Sequence, residues 1–135
     1  MIGLVVVTHG ALAVELRHAT EHVVGPMAQM QTVCIGADDD LERASSTIRK
    51  AVAKVETGKG VLLLTDMFGG TPSNLSISML KEGVIEVIAG VNLPMLIKLS
   101  QARKSENLME AAQTAKEAGR RYIAIASEII AGDEG

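Results

Sequence analysis

The sequence predicts a doubly wound α/β domain: a three-layer sandwich around a mainly parallel sheet of order 2-1-3-4, with a fifth strand near the C-terminus. Three observations carry this. Short, continuous runs of Val, Ile and Leu recur along the chain, as in strands covered on both faces. Segments with apolar residues at helical spacing separate them. The strand–helix alternation is punctuated by Gly, Pro, Asp and Asn, so the crossovers are right-handed and the strands parallel.

Each element has its own justification. Residues 2–7 form an unbroken apolar run, the first strand. Leu12, Leu16, Ala19 and Val23 then repeat at helical spacing up to Gly25-Pro26, which stops the first helix. Residues 31–35 read as strand two. Asp38-Asp39-Asp40 precedes a helix with the apolar stripe Leu41, Ala44, Ile48, Ala51, Val52 and Val55, and the acids suit the free N–H groups and positive end of that helix. After a Gly58-Lys59-Gly60 turn, residues 61–66 make a buried third strand ending in Asp66. Met67 to Gly70 is a loop, and Thr71-Pro72 opens a helix with a capping hydroxyl and an early proline. Residues 84–89 form strand four, residues 93–102 a short helix, residues 106–118 an alanine-faced helix, and residues 122–126 a fifth strand. One domain over residues 1–130 and a loose tail at 131–135 are expected.

Composition excludes several functions. Of the 135 residues, 13 are Lys or Arg and 16 Asp or Glu, a net charge of -3, so no basic field exists to hold nucleic acid. Phe68 and Tyr122 are the only aromatic residues, too few for base- or sugar-stacking platforms. The single cysteine, Cys34, makes neither an internal disulfide nor a cysteine zinc cage and reads as a buried strand thiol. The apolar start lacks a positive flank and stops at Thr8-His9-Gly10, so it fits neither a signal peptide nor a membrane span; a cytoplasmic protein is expected. His18 and His22, with Glu15 one turn earlier, have a spacing open to metal binding, but they flank the apolar stripe and are read as a solvated helix face, with no metal site.

In an open sheet of this order, ligands bind beyond the carboxyl ends of strands 1 and 3. Those strands end in polar residues that the apolar runs do not require, Thr8-His9-Gly10 and Thr65-Asp66. Taken singly, His9 is an ordinary strand-end histidine and Asp66 a turn former before Gly-Gly. At tips about 4.8 Å apart they can meet. A carboxylate on one ring nitrogen fixes the tautomer and frees the other nitrogen as a base, nucleophile or ligand. Gly69 and Gly70 let backbone N–H groups approach closely, and the helix opening at Thr71 aims its positive end at the same place, a pocket suited to a phosphoryl group. No dinucleotide or Walker phosphate loop is present, and no Lys or Arg lies in these loops to hold a triphosphate.

The chain resembles the mannose-family enzyme IIA domain of the bacterial phosphoenolpyruvate:sugar phosphotransferase system. The likeness spans nearly the whole chain and rests on residues 2–10 with their Thr-His-Gly ending, residues 60–74 reading GVLLLTDMFGGTPSN, and residues 87–96 reading VIAGVNLPML. It implies that His9 accepts a phosphoryl group through Nε2 from the phosphocarrier protein HPr and donates it to a IIB protein or domain, for sugar uptake or regulation, without cofactor or metal. It further implies that Asp66 orients the ring, that Gly69, Gly70 and Thr71 bind the phosphoryl group, and that Phe68 belongs to the docking surface. A homodimer that exchanges the last strand is also implied. No Ala/Pro-rich linker to a IIB domain follows, so a separate IIB protein is the expected acceptor. Two other readings stand beside this one. A noncatalytic regulatory module would sense a small anion in the same crevice. A dihydroxyacetone kinase phosphotransfer subunit resembles the same fold, but its motif reads Ser-His-Ser where this chain has Thr8-His9-Gly10.

Overall fold

The computed structural model describes residues 1–132. Four strands form one parallel sheet in the order β2-β1-β3-β4: β1 (Gly3–His9), β2 (Met30–Ile35), β3 (Val61–Thr65) and β4 (Ile85–Ala89). Strands β1 and β3 lie in the middle and are fully buried apart from His9 at the tip of β1. Alternation along them feeds two cores. Leu4, Val6, Leu62 and Leu64 face the layer of α1 (Leu12–Val24), α4 (Leu93–Ser105) and α5 (Leu108–Arg121). Val5, Val7, Val61 and Leu63 face α2 (Leu41–Val55) and α3 (Thr71–Ile77). Each such side chain removed from water contributes about 1.5–3 kcal/mol, which is why the continuous apolar runs decide the architecture.

The helix ends are set by particular side chains. Asp40 caps α2, its Oδ1 accepting from the Glu42 N–H at 3.1 Å, and Asp39 accepts from Gly36 N–H at 2.8 Å, so the acidic run closes the β2–α2 turn as expected. Asn92 caps α4 by accepting from Met95 N–H and ties it to α5 by donating to the Gly119 carbonyl. A reciprocal capping box of Asn107 and Glu110 starts α5. At the end of the sheet away from His9, the buried Arg103 guanidinium donates to the carbonyls of Ile2, Ala28 and Gln29 at 3.0, 2.7 and 2.7 Å. Burial lowers its pKa to about 10, so it stays charged at neutral pH without an acidic partner.

Four expectations need correction. The buried face of α1 carries Ala13 and Thr20 with Leu16 packed beside them, whereas Leu12 and Val23 are exposed. Arg17 fixes that rotation by donating to the carbonyls of Met27 and Met30. Cys34 is exposed: β2 is the edge strand, and Cys34 lies on the face opposite Val33 and Ile35, which are buried in the core on the α2 side. No strand forms over residues 122–126. Tyr122 caps α5, and a short helix, α6 (Ala126–Ile130), begins at Ala126, leaving Tyr122, Ile123, Ile125 and Ile130 exposed. Within one chain this segment follows α5 directly and does not reach the free edge of β4, so it has no ladder to join. The expected tail at 131–135 lies partly outside the described residues. Fourth, Thr71 is the first residue of α3 rather than its cap; Gly70 occupies the capping position, and no side chain there accepts a hydrogen bond.

Candidate active site

The alternation that buries Val5 and Val7 also fixes what the tip of β1 presents. Thr8 turns inward, and its Oγ1 accepts the Ala13 N–H at 2.7 Å, satisfying the first turn of α1, whose capping residue Ala11 has no acceptor. His9 turns to the other face, with its side chain about half exposed (51%). Because β1 pairs with β3 in register Val7↔Thr65, Asp66 comes level with Thr8, and its carboxylate reaches the next residue, His9. Asp66 Oδ2 accepts twice from that residue, from the backbone N–H at 3.0 Å and at ring Nδ1 at 2.8 Å. Its Oδ1 accepts the Met67 N–H at 3.1 Å.

Burial of the Asp66 carboxyl works to raise its pKa, but the hydrogen bonds from the His9 backbone and ring, with the ring charge, outweigh it and hold the acid below the ordinary carboxylate range. An ionised carboxylate can only accept, so Nδ1 carries the hydrogen and Nε2 keeps a free electron pair. The pair is mostly legible in the sequence; that the backbone N–H of His9 shares the same oxygen is not.

The free nitrogen faces Gly70. A Cβ built there would lie 3.3 Å from both Nε2 and Cε1, and Gly70 has φ +88° and ψ 170°, a conformation reserved for glycine. Gly69 also has a positive φ, of 87°, yet nothing lies within 4 Å of its Cβ position. Of the expected phosphoryl-binding residues, Gly70 therefore abuts the imidazole directly. Thr71 follows as the first helical residue, and Gly69 shapes the turn. Phe68 is 79% exposed and Met67 55%, forming an apolar rim beside the histidine. His18 and His22 lie exposed on α1, with His18 Nδ1 at 3.8 Å from Glu15, and no cluster of three metal-ligating side chains occurs among the described residues.

Among the described residues no helix is long and apolar enough to cross a membrane. The chain is similar to known proteins over most of its length. It is 33% identical over 124 residues to the PTS system mannose-specific EIIAB component of Escherichia coli K12, an alignment covering 90% of this chain but 38% of that protein. It is 25% identical over 129 residues to the PTS system fructose-specific EIIA component of Bacillus subtilis, covering 95% and 88%. The mannose/sorbose specific IIA subunit of the phosphotransferase system from Enterococcus faecalis superposes with a TM-score of 0.81 at 27% identity, covering 92% and 93%. The phosphotransferase system component EIIA from Streptococcus agalactiae shares the fold, with a TM-score of 0.85 over 94% of this chain and 98% of that one. The family model EIIA-man, described as PTS system fructose IIA component, matches residues 3–116, and the chain belongs to that family.

Proposed function

We propose that this chain is a phosphoryl carrier of the phosphotransferase system that takes a phosphoryl group from HPr onto His9 Nε2 and passes it to a IIB partner. The 2.8 Å contact between His9 Nδ1 and Asp66 carries the reading. Nε2 attacks the phosphorus of the donor phosphohistidine, an N–P bond forms there, and the donor N–P bond breaks with its electron pair returning to the donor imidazole. The new phosphohistidine keeps its Nδ1–H, so its ring is cationic, and Asp66 balances that charge. The Gly69–Gly70 turn and the uncapped N–H groups at Thr71 offer donors to the phosphoryl oxygens, and Phe68 with Met67 offers an apolar seat to the two partners in turn. Residues 1–130 serve as one functional domain in the cytoplasm.

The test is phosphorylation with phosphoenolpyruvate, enzyme I and HPr. The protein gains one acid-labile phosphoryl group and His9→Ala gains none. Labelling of His9→Ala would move the acceptor elsewhere, and phosphate binding without uptake would favour the anion-sensing reading. The homodimer belongs to the same proposal. Beyond the Lys81–Ile85 bridge at its start, the outer edge of β4 pairs with no other strand among the described residues, a groove of about 720 Å³ runs between β4 and α5, and exposed Ile123 lies at its side. Exchange of residues 122–126 between subunits would complete the sheet and cover that groove. Light scattering at micromolar concentration checks this, and a monomer that stays monomeric on concentration refutes it.

A further inference from the structure

Six hydroxyls are wholly or almost wholly buried, at Thr8, Thr20, Ser76, Ser100, Thr65 and Ser73. The first four have partners: Thr8 accepts from Ala13, and Thr20, Ser76 and Ser100 donate to the carbonyls of Leu16, Pro72 and Ile97. Thr65 Oγ1 and Ser73 Oγ have none among the described residues. Unpaired buried hydroxyls are destabilising and uncommon, so two of them call for a use.

They belong to one place. Alternation puts Thr65 on the face of Val61 and Leu63, the face against which Leu75 of α3 packs. Thr65 is opposite Val7 in register, two residues below His9 on β1, a drop of about 6.6 Å. Helix α3 begins where Gly70 meets the imidazole, and Ser73, on its buried side, lies three residues further along, about 4.5 Å of helical rise. Thr65 thus lies beneath the ring on the α3 side of the sheet, and Ser73 on the buried side of the first turn of α3.

We propose that Thr65 and Ser73 hold one buried water between them and act as positioning residues for His9. Thr65 immediately precedes Asp66, which grips Nδ1, and Ser73 follows Gly70, which abuts Nε2. A water bridging the two hydroxyls clamps the strand tip to the helix start, and so fixes both groups that touch the imidazole. The inference deepens the phosphoryl-carrier reading and rests on it for its kinetic consequence, though not for the clamp itself.

Thr65→Val and Ser73→Ala remove the hydroxyls with little change of volume. Each is expected to lower the maximal rate of phosphoryl uptake from phospho-HPr about tenfold, as a slight misplacement of a reacting group does, with the half-saturating HPr concentration unchanged. The double variant should be no slower than the worse single one, because either change breaks the bridge. Thr65→Ser, which keeps the hydroxyl, should restore the rate. In unphosphorylated protein, the ring ¹⁵N shifts of His9 should move away from the Nδ1–H tautomer in both single variants. That readout, and the coupling of the two sites in urea unfolding, remain readable if His9 is never phosphorylated, so failure of the carrier reading is seen separately. Multiplicative effects in the double variant, loss of stability with ring shifts unchanged, or Thr65→Ser behaving as Thr65→Val would each overturn the clamp.

Discussion

Replacing Asp66 by Asn tests the site most directly, because the geometry leaves the amide no satisfactory orientation. The carboxylate accepts three hydrogen bonds: two at Oδ2 from His9, at 3.0 and 2.8 Å, and one at Oδ1 from Met67 N–H at 3.1 Å. If the amide oxygen turns toward His9, the NH2 group opposes the Met67 N–H. If it turns the other way, the NH2 opposes the His9 backbone N–H and forces Nδ1 to accept, which places the hydrogen on Nε2 and removes the nucleophile. Either way one N–H loses its acceptor and the negative charge is gone. Hydrogen bonds to charged groups are worth about 1.5–3 kcal/mol each, and His9 is half exposed, so solvent screening puts the stability loss near 1–2 kcal/mol. Transfer suffers more, about a hundredfold to ten-thousandfold, because both the tautomer and the balancing of the cationic phosphohistidine are affected. Rapid-quench measurement of phosphoryl uptake from phospho-HPr, with circular dichroism to verify folding, reads the effect. A folded Asp66→Asn protein with an unchanged transfer rate would refute the reasoning.

Three other outcomes are expected. Gly70→Ala forces a side chain into a glycine-only conformation at a cost of about 1–3 kcal/mol and crowds Nε2, so transfer slows at least tenfold, whereas Gly69→Ala shares the positive φ without the crowding and should transfer faster than Gly70→Ala; equal rates for the two, read in the same assay, would remove crowding from the explanation. Arg103→Met leaves the carbonyls of Ile2, Ala28 and Gln29 without their donor and should lower urea stability by about 3 kcal/mol; a loss below about 1 kcal/mol would mean that water replaces the guanidinium. The Asp66 carboxyl has its pKa depressed on folding, so its stabilising contribution is present above the unfolded value of about 3.9 and is lost as pH falls through the lower folded value. The stability difference between wild type and Asp66→Asn should therefore persist at pH 5 and shrink only below about pH 4; urea titrations across that range check it, and a difference already gone at pH 5 would contradict it.

Which features could be read from the sequence follows from the range of the forces involved. Unbroken runs such as residues 61–65 identify central strands, because two-sided burial tolerates only apolar side chains. The His9–Asp66 meeting follows from the strand order, since parallel neighbours carry their polar ends to one edge. Asp40 declared itself by position before an apolar stripe. Features that depend on distant partners stayed hidden. The face of α1 is set by Arg17 reaching two carbonyls, the exposure of Cys34 by which strand lies at the edge, and the fate of residues 122–126 by whether an edge is within reach. The contact of Gly70 with Nε2 depends on tertiary placement, although a Gly-Gly pair after a strand-end acid hinted at a special backbone there.

Neighbouring residues of β1 have opposite duties: Thr8 points into the interior to finish α1, and His9 points outward toward Asp66. A slip of one position would put an imidazole under a helix and a threonine beside Asp66, with every core valine inverted as well. Folding errors and chemical errors are therefore the same event in this strand. Any chain that assembles its interior correctly has already turned His9 toward Asp66.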